Sequence, residues 1–425
     1  MAAVILPGAA GLNELSGDDR GGVADHDDRL APAARLDPEH GEAVFRIVEG
    51  DPLDQAGQEL GGLLQRDFSC LSRPASLTAR TLPRHDAFRN QRRTGIIGQR
   101  EREVAMAKPV LVVTRRLPPA VEARAAQDFE ARLNTADRPI AGTELPRLAS
   151  GAAAILAAPT DRLDAALLAA LPESVRVIGT FSVGFDHIDC NAAKARGIAV
   201  CNTPDVLSVA TAELVMLLIL AAARRAGEGE RLVRAGRWSG WAPTQLLGTG
   251  ISGRRLGILG MGRIGRELTR IARGFEMEVH YHDIARLPAE REQGAIFHAD
   301  DRSFLAASEI LSLNAPGGPG TRHWLNAERI AVLPKGVVIA NGARGTLVDD
   351  AALIAALRSG HVAAAGLDVY DGEPHVHPGY LELENVVLLP HLGSATYATR
   401  DAMGFLALDG IAAVLNGTSP PNRVA

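Results

Sequence analysis

Residues 256–265 read Leu-Gly-Ile-Leu-Gly-Met-Gly-Arg-Ile-Gly, and this stretch decides the fold. An apolar strand ends in a glycine turn, and an amphipathic helix over residues 266–275 follows at once. Gly260, Gly262 and Gly265 stand in G-x-G-x-x-G spacing. The first makes the tight turn, the second lets backbone approach a pyrophosphate, and the third lets helix pack on strand. Arg263 and Ile264 sit at the helix start, where free N–H groups and a partial positive charge suit phosphates. Asp283 ends the next apolar segment, residues 277–282, and lies 18 positions beyond Gly265. An acid there receives ribose hydroxyls. Glycines punctuate many turns, but strand, helix and acid agree, and the expectation is dinucleotide binding.

The chain has 425 residues, enough for two or three domains, and its 46% hydrophobic and 22% charged content is that of an ordinary soluble globular protein. A net charge of −5 leaves no basic footprint, so nucleic acid is not an expected partner. Cys70, Cys190 and Cys201 show no metal-binding spacing; no metal is expected, and a reduced, cytoplasmic protein is the simplest reading. The most apolar run, residues 214–223, spans ten residues, whereas a membrane span needs about 20. It reads as a buried core helix, and no membrane partner is expected.

Residues 1–105 are rich in Arg, Asp, Gly and Pro and lack sustained periodicity. They read as a disordered or non-native extension, with acidic clusters at residues 16–20 and 25–28 taken as solvated loops. Order begins near Met106, taken as the native start. Strands are expected at residues 110–113, 153–157 and 175–178, with a helix over 119–133. Strands alternating with helices imply parallel α/β layers. The fold expected is α/β, with two Rossmann-like doubly wound parallel-sheet domains and a cleft between them. The first comprises residues 106–205, completed by a returning helix within 396–425; the second comprises 206–395 and carries the glycine turn.

Three more strand ends carry candidates for chemistry. Arg344 stands just past the apolar run at 337–341, where an open α/β sheet binds ligands. Its planar fork can grip a carboxylate and a carbonyl together, although a surface ion pair fits the position equally well. His391 follows the apolar run 386–389 and Pro390, and can exchange protons near neutral pH. Glu373, after the strand leading into residues 366–374, can orient it and favour its charged form. A lone histidine would be read as a packed core residue. Three candidates at three successive strand ends favour chemistry.

Several ordered motifs give residues 106–425 a family likeness: Thr-Phe-Ser-Val-Gly-Phe-Asp-His-Ile-Asp at 180–189, Asn-Thr-Pro-Asp at 202–205 leading to Ala-Thr-Ala-Glu at 210–213, Ala343-Arg344-Gly345, Glu373-Pro374, and Pro-His-Leu-Gly-Ser at 390–394. The chain resembles the D-isomer-specific 2-hydroxyacid dehydrogenases, in particular the glyoxylate/hydroxypyruvate reductase branch. The resemblance implies reduction of a small 2-oxo acid to a 2-hydroxy acid with NAD(P)H bound along the glycine turn. It implies that Arg344 and the N–H groups of Val183 and Gly184 hold substrate, that His391 donates the proton, and that Glu373 keeps His391 charged and aimed. Thr211, Asn314, Ala315 and Asp368 match family positions near the cofactor, with Asp368 receiving the nicotinamide amide.

The stretch Trp-Ser-Gly-Trp-Ala-Pro at 238–243 is similar to a loop of that branch in which a tryptophan from the partner subunit limits the substrate pocket. Trp241 is the better match, and a homodimer is implied. Many glyoxylate reductases place Asn-Arg after the strand that here ends His280-Tyr281-His282, so that arginine meets the 2′-phosphate of NADPH. This chain has Asp283-Ile284, which implies NAD(H), while Arg286 nearby leaves NADP(H) open. Two alternatives share the architecture. A formate dehydrogenase pairs its histidine with glutamine, against which Glu373 speaks. A redox-sensing corepressor also binds NAD(H), but the sequence holds no basic recognition element for it.

Overall fold

Four short apolar segments and one polar edge segment make the first sheet: β1 (Val110–Val113), β2 (Glu130–Arg132, the polar one), β3 (Ala154–Ala157), β4 (Val177–Thr180) and β5 (Ala199–Cys201). They form one all-parallel sheet in the order β2-β1-β3-β4-β5. The coordinates are a computed structural model, and it describes residues 107–425. The readings of residues 1–105 and of a start at Met106 lie outside the described residues.

The second sheet takes β6 (Arg255–Leu259), β7 (Glu278–His282), β8 (Ile296–Phe297), β9 (Ile310–Leu313), β10 (Val337–Asn341), β11 (Val362–Leu367) and β12 (Val386–Leu388). These are also all parallel, in the order β12-β11-β10-β9-β6-β7-β8. Counted from β6, that is the doubly wound order 3-2-1-4-5-6 with a seventh strand added, and the order reverses between β6 and β9. The first sheet follows the other common doubly wound order, 2-1-3-4-5. Both sheets carry helices on both faces. Their strands therefore read as continuous apolar runs rather than alternating ones: β3, β4, β9 and β10 are buried at every residue.

One expected element differs. The helix predicted over 119–133 ends at Asp128, and residues 130–132 become β2. Phe129 decides this: its extended backbone (φ −128°, ψ 162°) buries its ring in the core and turns the chain into an edge strand beside β1. The apolar run at 214–223 is part of a longer helix, Ser208–Ala223, which packs on the second sheet. No helix of the described residues is long and apolar enough to cross a membrane.

The terminal helix Tyr397–Leu415 returns to the first sheet, where Met403, Ala407, Leu408 and Ile411 join Leu111, Val113, Leu156 and Val177 in one core. Each of these side chains other than Ala407 contributes about 1.5–3 kcal/mol relative to exposure. The C-terminal tail then bridges Arg423 to Cys201, and Asn422 exchanges hydrogen bonds with the backbone of Asn202. Burial pushes the Cys201 thiol up to about 11, against a small opposing pull from Arg423, so it is an inert packing group.

Candidate active site

The glycine turn lies where the second sheet's order reverses. Gly260 has φ +90°, and a Cβ there would lie 2.8 Å from the Ala315 nitrogen and 2.9 Å from the Asn314 carbonyl carbon. Only glycine lets the ends of β6 and β9 close up in this way. Gly262 is the opposite case: a Cβ there would meet nothing within 4 Å, and its backbone caps the helix Arg263–Arg273 without a side-chain bond. Open space therefore lies above a helix N-terminus. Beside it, Asn314 donates Nδ2 to Ser312 Oγ at 2.9 Å, but its Oδ1 is buried with no partner among the described residues. A buried orphan acceptor next to an open cradle fits a dinucleotide with its phosphates on the helix.

Asp283 is fixed against this turn. Its Oδ2 accepts the Met261 N–H at 2.8 Å and its Oδ1 accepts the Ile284 N–H at 2.7 Å. Arg286 is occupied elsewhere: Nε and Nη2 donate to Glu292 at 2.8 and 3.1 Å. Glu292 also accepts the Tyr281 hydroxyl at 2.7 Å. The Arg286 guanidinium, then the Tyr281 hydroxyl, hold the Glu292 carboxyl below the usual carboxylate range. Arg263 pairs with Asp205, and Ile264 is half-buried between the two lobes' cores.

Across the cleft, the loop after β4 is braced from beneath. Thr180 Oγ1 bonds Ser182 Oγ at 2.8 Å and His187 Nε2 at 2.9 Å; Ser182 Oγ donates to the Gly184 carbonyl at 2.6 Å. Asn202 Nδ2 donates to the Val183 carbonyl at 2.8 Å. With its carbonyls held, the loop keeps the Val183 and Gly184 N–H groups unspent: among the described residues neither donates a hydrogen bond. Arg344 lies directly over them. A Cβ on Gly184 would stand 1.8 Å from Arg344 Nη2, so this close approach requires glycine. Arg344 and Asp186 form an ion pair at 3.1 Å that joins the two lobes. Burial pushes the Asp186 carboxyl up, but the charge and hydrogen bonds of Arg344 outweigh it and hold the group low.

At the ends of β11 and β12 stand the other two candidates. His391 Nδ1 lies 2.8 Å from Glu373 Oε2, while Glu373 Oε1 accepts the Tyr370 N–H at 3.0 Å. Burial works against the Glu373 charge. The His391 hydrogen bond and charge, the Tyr370 N–H and the charge of Arg344 together overcome it and hold the carboxyl below its ordinary range. His391 itself has φ +57°, an uncommon conformation for a residue with a side chain. It is held there by its N–H to the Asp368 carbonyl at 2.8 Å.

Asp368 lies beneath the His391 segment. The resemblance implied contact with the nicotinamide amide. The structure buries Asp368 fully and gives its Oδ1 and Oδ2 to the N–H groups of Leu392 and Gly393, at 2.7 and 2.8 Å. In this geometry it braces the segment that carries His391. Thr211 packs against the same segment, within 3.5 Å of where a Cβ on Gly393 would lie. Trp241 sits apart from these groups, 82% exposed on the loop after the helix Ala226–Arg234. The readings from sequence missed Asp186 and Glu292. Asp186 falls within the quoted 180–189 segment, but only its neighbours' backbone was assigned a task there.

A glycine-turn cradle and an arginine, histidine and glutamate at neighbouring strand ends define a two-lobed, dinucleotide-binding oxidoreductase. Residues 216–393 match the family model for the D-isomer specific 2-hydroxyacid dehydrogenase NAD binding domain. The chain is 41% identical over 314 residues to a glycerate dehydrogenase of Hyphomicrobium methylovorum, covering 73% of this chain and 98% of that protein. It is 37% identical over 322 residues to a glyoxylate reductase of Thermococcus onnurineus, covering 75% and 96%. Among solved structures, it matches a glyoxylate reductase from Paecilomyes thermophila at TM-score 0.68 and 35% identity, covering 75% of this chain and 99% of that one. An NADPH-dependent glyoxylate/hydroxypyruvate reductase from Sinorhizobium meliloti, solved with NADP and malonate, matches at TM-score 0.67 and 32% identity, covering 75% and 97%. The chain belongs to the D-isomer specific 2-hydroxyacid dehydrogenase family.

Proposed function

We propose that this enzyme reduces small 2-oxo acids of the glyoxylate and hydroxypyruvate class to the corresponding 2-hydroxy acids, with the cofactor on the 206–395 domain and substrate held by the 106–205 domain. The observation that carries this reading is the Glu373–His391 pair, 2.8 Å apart, with Arg344 close enough for its charge to act on Glu373. When bound, the reduced nicotinamide supplies the hydride. Arg344 binds the substrate carbonyl and carboxylate. The unspent N–H groups of Val183 and Gly184 take a carboxylate oxygen. His391 holds a proton at its other ring nitrogen, Nε2, and delivers it to the oxygen that becomes an alkoxide. Glu373 keeps the imidazole aimed and compensates its charge. A cation at the oxygen and a proton donor beside it supply what carbonyl reduction requires.

We infer a preference for NADH. Asp283 is anchored where the adenosine ribose is expected, and the only neighbouring arginine suggested by sequence, Arg286, is tied to Glu292. Asp283 would repel a 2′-phosphate there, and the Arg286 charge that could offset it is shared with Glu292. We also infer a homodimer. Trp238, Trp241, Leu217 and Leu247 are each more than half exposed, which supports a partner surface. In that dimer Trp241 would border the partner's substrate pocket. Free thiols at Cys190 and Cys201 suit a reducing, cytoplasmic setting. The test is turnover of a panel of 2-oxo acids with NADH and NADPH, followed by loss of nicotinamide absorbance, with size measured in parallel. Loss of absorbance with glyoxylate or hydroxypyruvate supports the reading. An enzyme inert toward every small 2-oxo acid tested overturns it.

A further inference from the structure

We propose that Asp186 is a positioning residue for the reaction: it sets the plane of the Arg344 guanidinium from the opposite lobe and leaves one edge free for substrate. The inference rests on the reading of Arg344 as the substrate's arginine. Arginine has five N–H donors in a rigid fork. Nε donates to Asp186 at 3.3 Å to Oδ1 and 3.4 Å to Oδ2, and Nη2 donates to Oδ1 at 3.1 Å. Nη1 donates to the carbonyl of Ala343 at 2.7 Å. Three of the five donors are therefore taken, and two remain, one on each terminal nitrogen. Two donors at one edge are what a carbonyl and a carboxylate oxygen of one 2-oxo acid need.

The surroundings make this arrangement specific. Gly184 forms the floor beneath Nη2, and Gly317 flanks the stem, where a Cβ would lie 3.1 Å from Arg344 Cγ. Neither glycine offers a polar side chain. Orientation about the long axis of the side chain thus depends on Asp186 and on Ala343. Asp186 comes from the loop after β4, and Arg344 from the end of β10, so the bond is made only when the two lobes are correctly apposed. A flexible side chain held in advance loses less entropy when substrate binds. Two other titratable groups are close enough to act on the pair, His187 on the same loop and Glu373, and Glu373 in turn bonds His391.

The test uses Asp186→Asn in the full chain, beside Arg344→Lys and the double variant. In Asp186→Asn, KM for the 2-oxo acid should rise about tenfold to a hundredfold, the range of one charge-assisted hydrogen-bonded contact. NADH affinity should stay at its wild-type value. In the Arg344→Lys background the same change should have little further effect, because it acts through a guanidinium no longer present. A purely structural role would give the same loss in both backgrounds and would overturn the proposal. So would a fall in KM, which would mean that Asp186 competes with substrate for Arg344. If Asp186→Asn also loses NADH binding, Asp186→Glu takes its place; a raised KM with intact NADH binding supports positioning, and an unchanged KM overturns it. Near-normal Arg344→Lys would instead overturn the underlying reading of Arg344.

Discussion

Replacing Arg344 with lysine keeps the positive charge and removes the fork, and the size of the loss follows from the donor count. Two N–H groups remain for substrate after Asp186 and Ala343 are served. A hydrogen bond to a charged group contributes about 1.5–3 kcal/mol. Lysine has three donors on one nitrogen and no second edge, so it can follow either Asp186 or the substrate but cannot span both. One substrate bond is lost outright, and the other is poorly directed. The carbonyl bond also strengthens as the oxygen gains charge, which brings the cost to about 2.7–4 kcal/mol, the range for removing one oxyanion-stabilising donor. At about 1.4 kcal/mol per factor of ten, kcat/KM with glyoxylate should fall by roughly 10²–10³. The assay is steady-state NADH oxidation at saturating cofactor, with NADH affinity measured by fluorescence as the control for folding. A variant within threefold of wild type would refute the reasoning, since it would show that a point charge suffices and the fork is idle.

His391→Ala should lower kcat by several orders of magnitude while leaving NADH affinity nearly unchanged, because the proton is needed only in the chemical step; equilibrium titration beside turnover checks this. Glu373→Gln removes the carboxylate that aims His391 Nδ1 at 2.8 Å, so kcat should fall while NADH affinity holds. An unchanged kcat would break the pair. In the wild type, the Glu373 carboxyl is held below its ordinary range, so its contribution to stability is complete above that range and is lost only as pH falls through the lowered value; acid melting curves should show the mutant losing less stability there. Asp283→Asn with Ile284→Arg should raise kcat/KM for NADPH and lower it for NADH, because position 284 is fully exposed and an arginine there is free to reach a phosphate. Wild-type preference for NADPH would count against the Asp283 reading.

How much of this site could be read from the chain depended on whether a residue's task is local. Gly265 is required by neighbours a few positions away, Gly260 and Ile258, and the glycine spacing announced the turn, although Gly260 itself answers to Asn314 and Ala315 at the end of β9. Arg344, Glu373 and His391 each follow an apolar run, and strand ends of a parallel sheet gather at one edge by topology alone, so their convergence was legible. The helix break at Phe129 was not. Alanine and arginine at 131 and 132 suit a helix, and only the pairing with β1 overrides them.

The two residues that sequence left unassigned share a physical character: each acts by occupying another residue's donors. Glu292 is buried beside Tyr281 and takes both the Nε and the Nη2 of Arg286. An arginine six positions before it looks free in the sequence and is ion-paired in the fold. Asp186 does the converse for Arg344, consuming the donors that face away from substrate and leaving the useful edge. Side chains of this kind have no motif, since their effect depends on a contact 158 positions distant in one case and on burial in the other. Asp368 is a third instance. Its carboxylate accepts the backbone N–H groups of the segment that carries His391. The chemistry of the site was written at strand ends. On the function proposed above, its selectivity lies in carboxylates that decide which donors remain free.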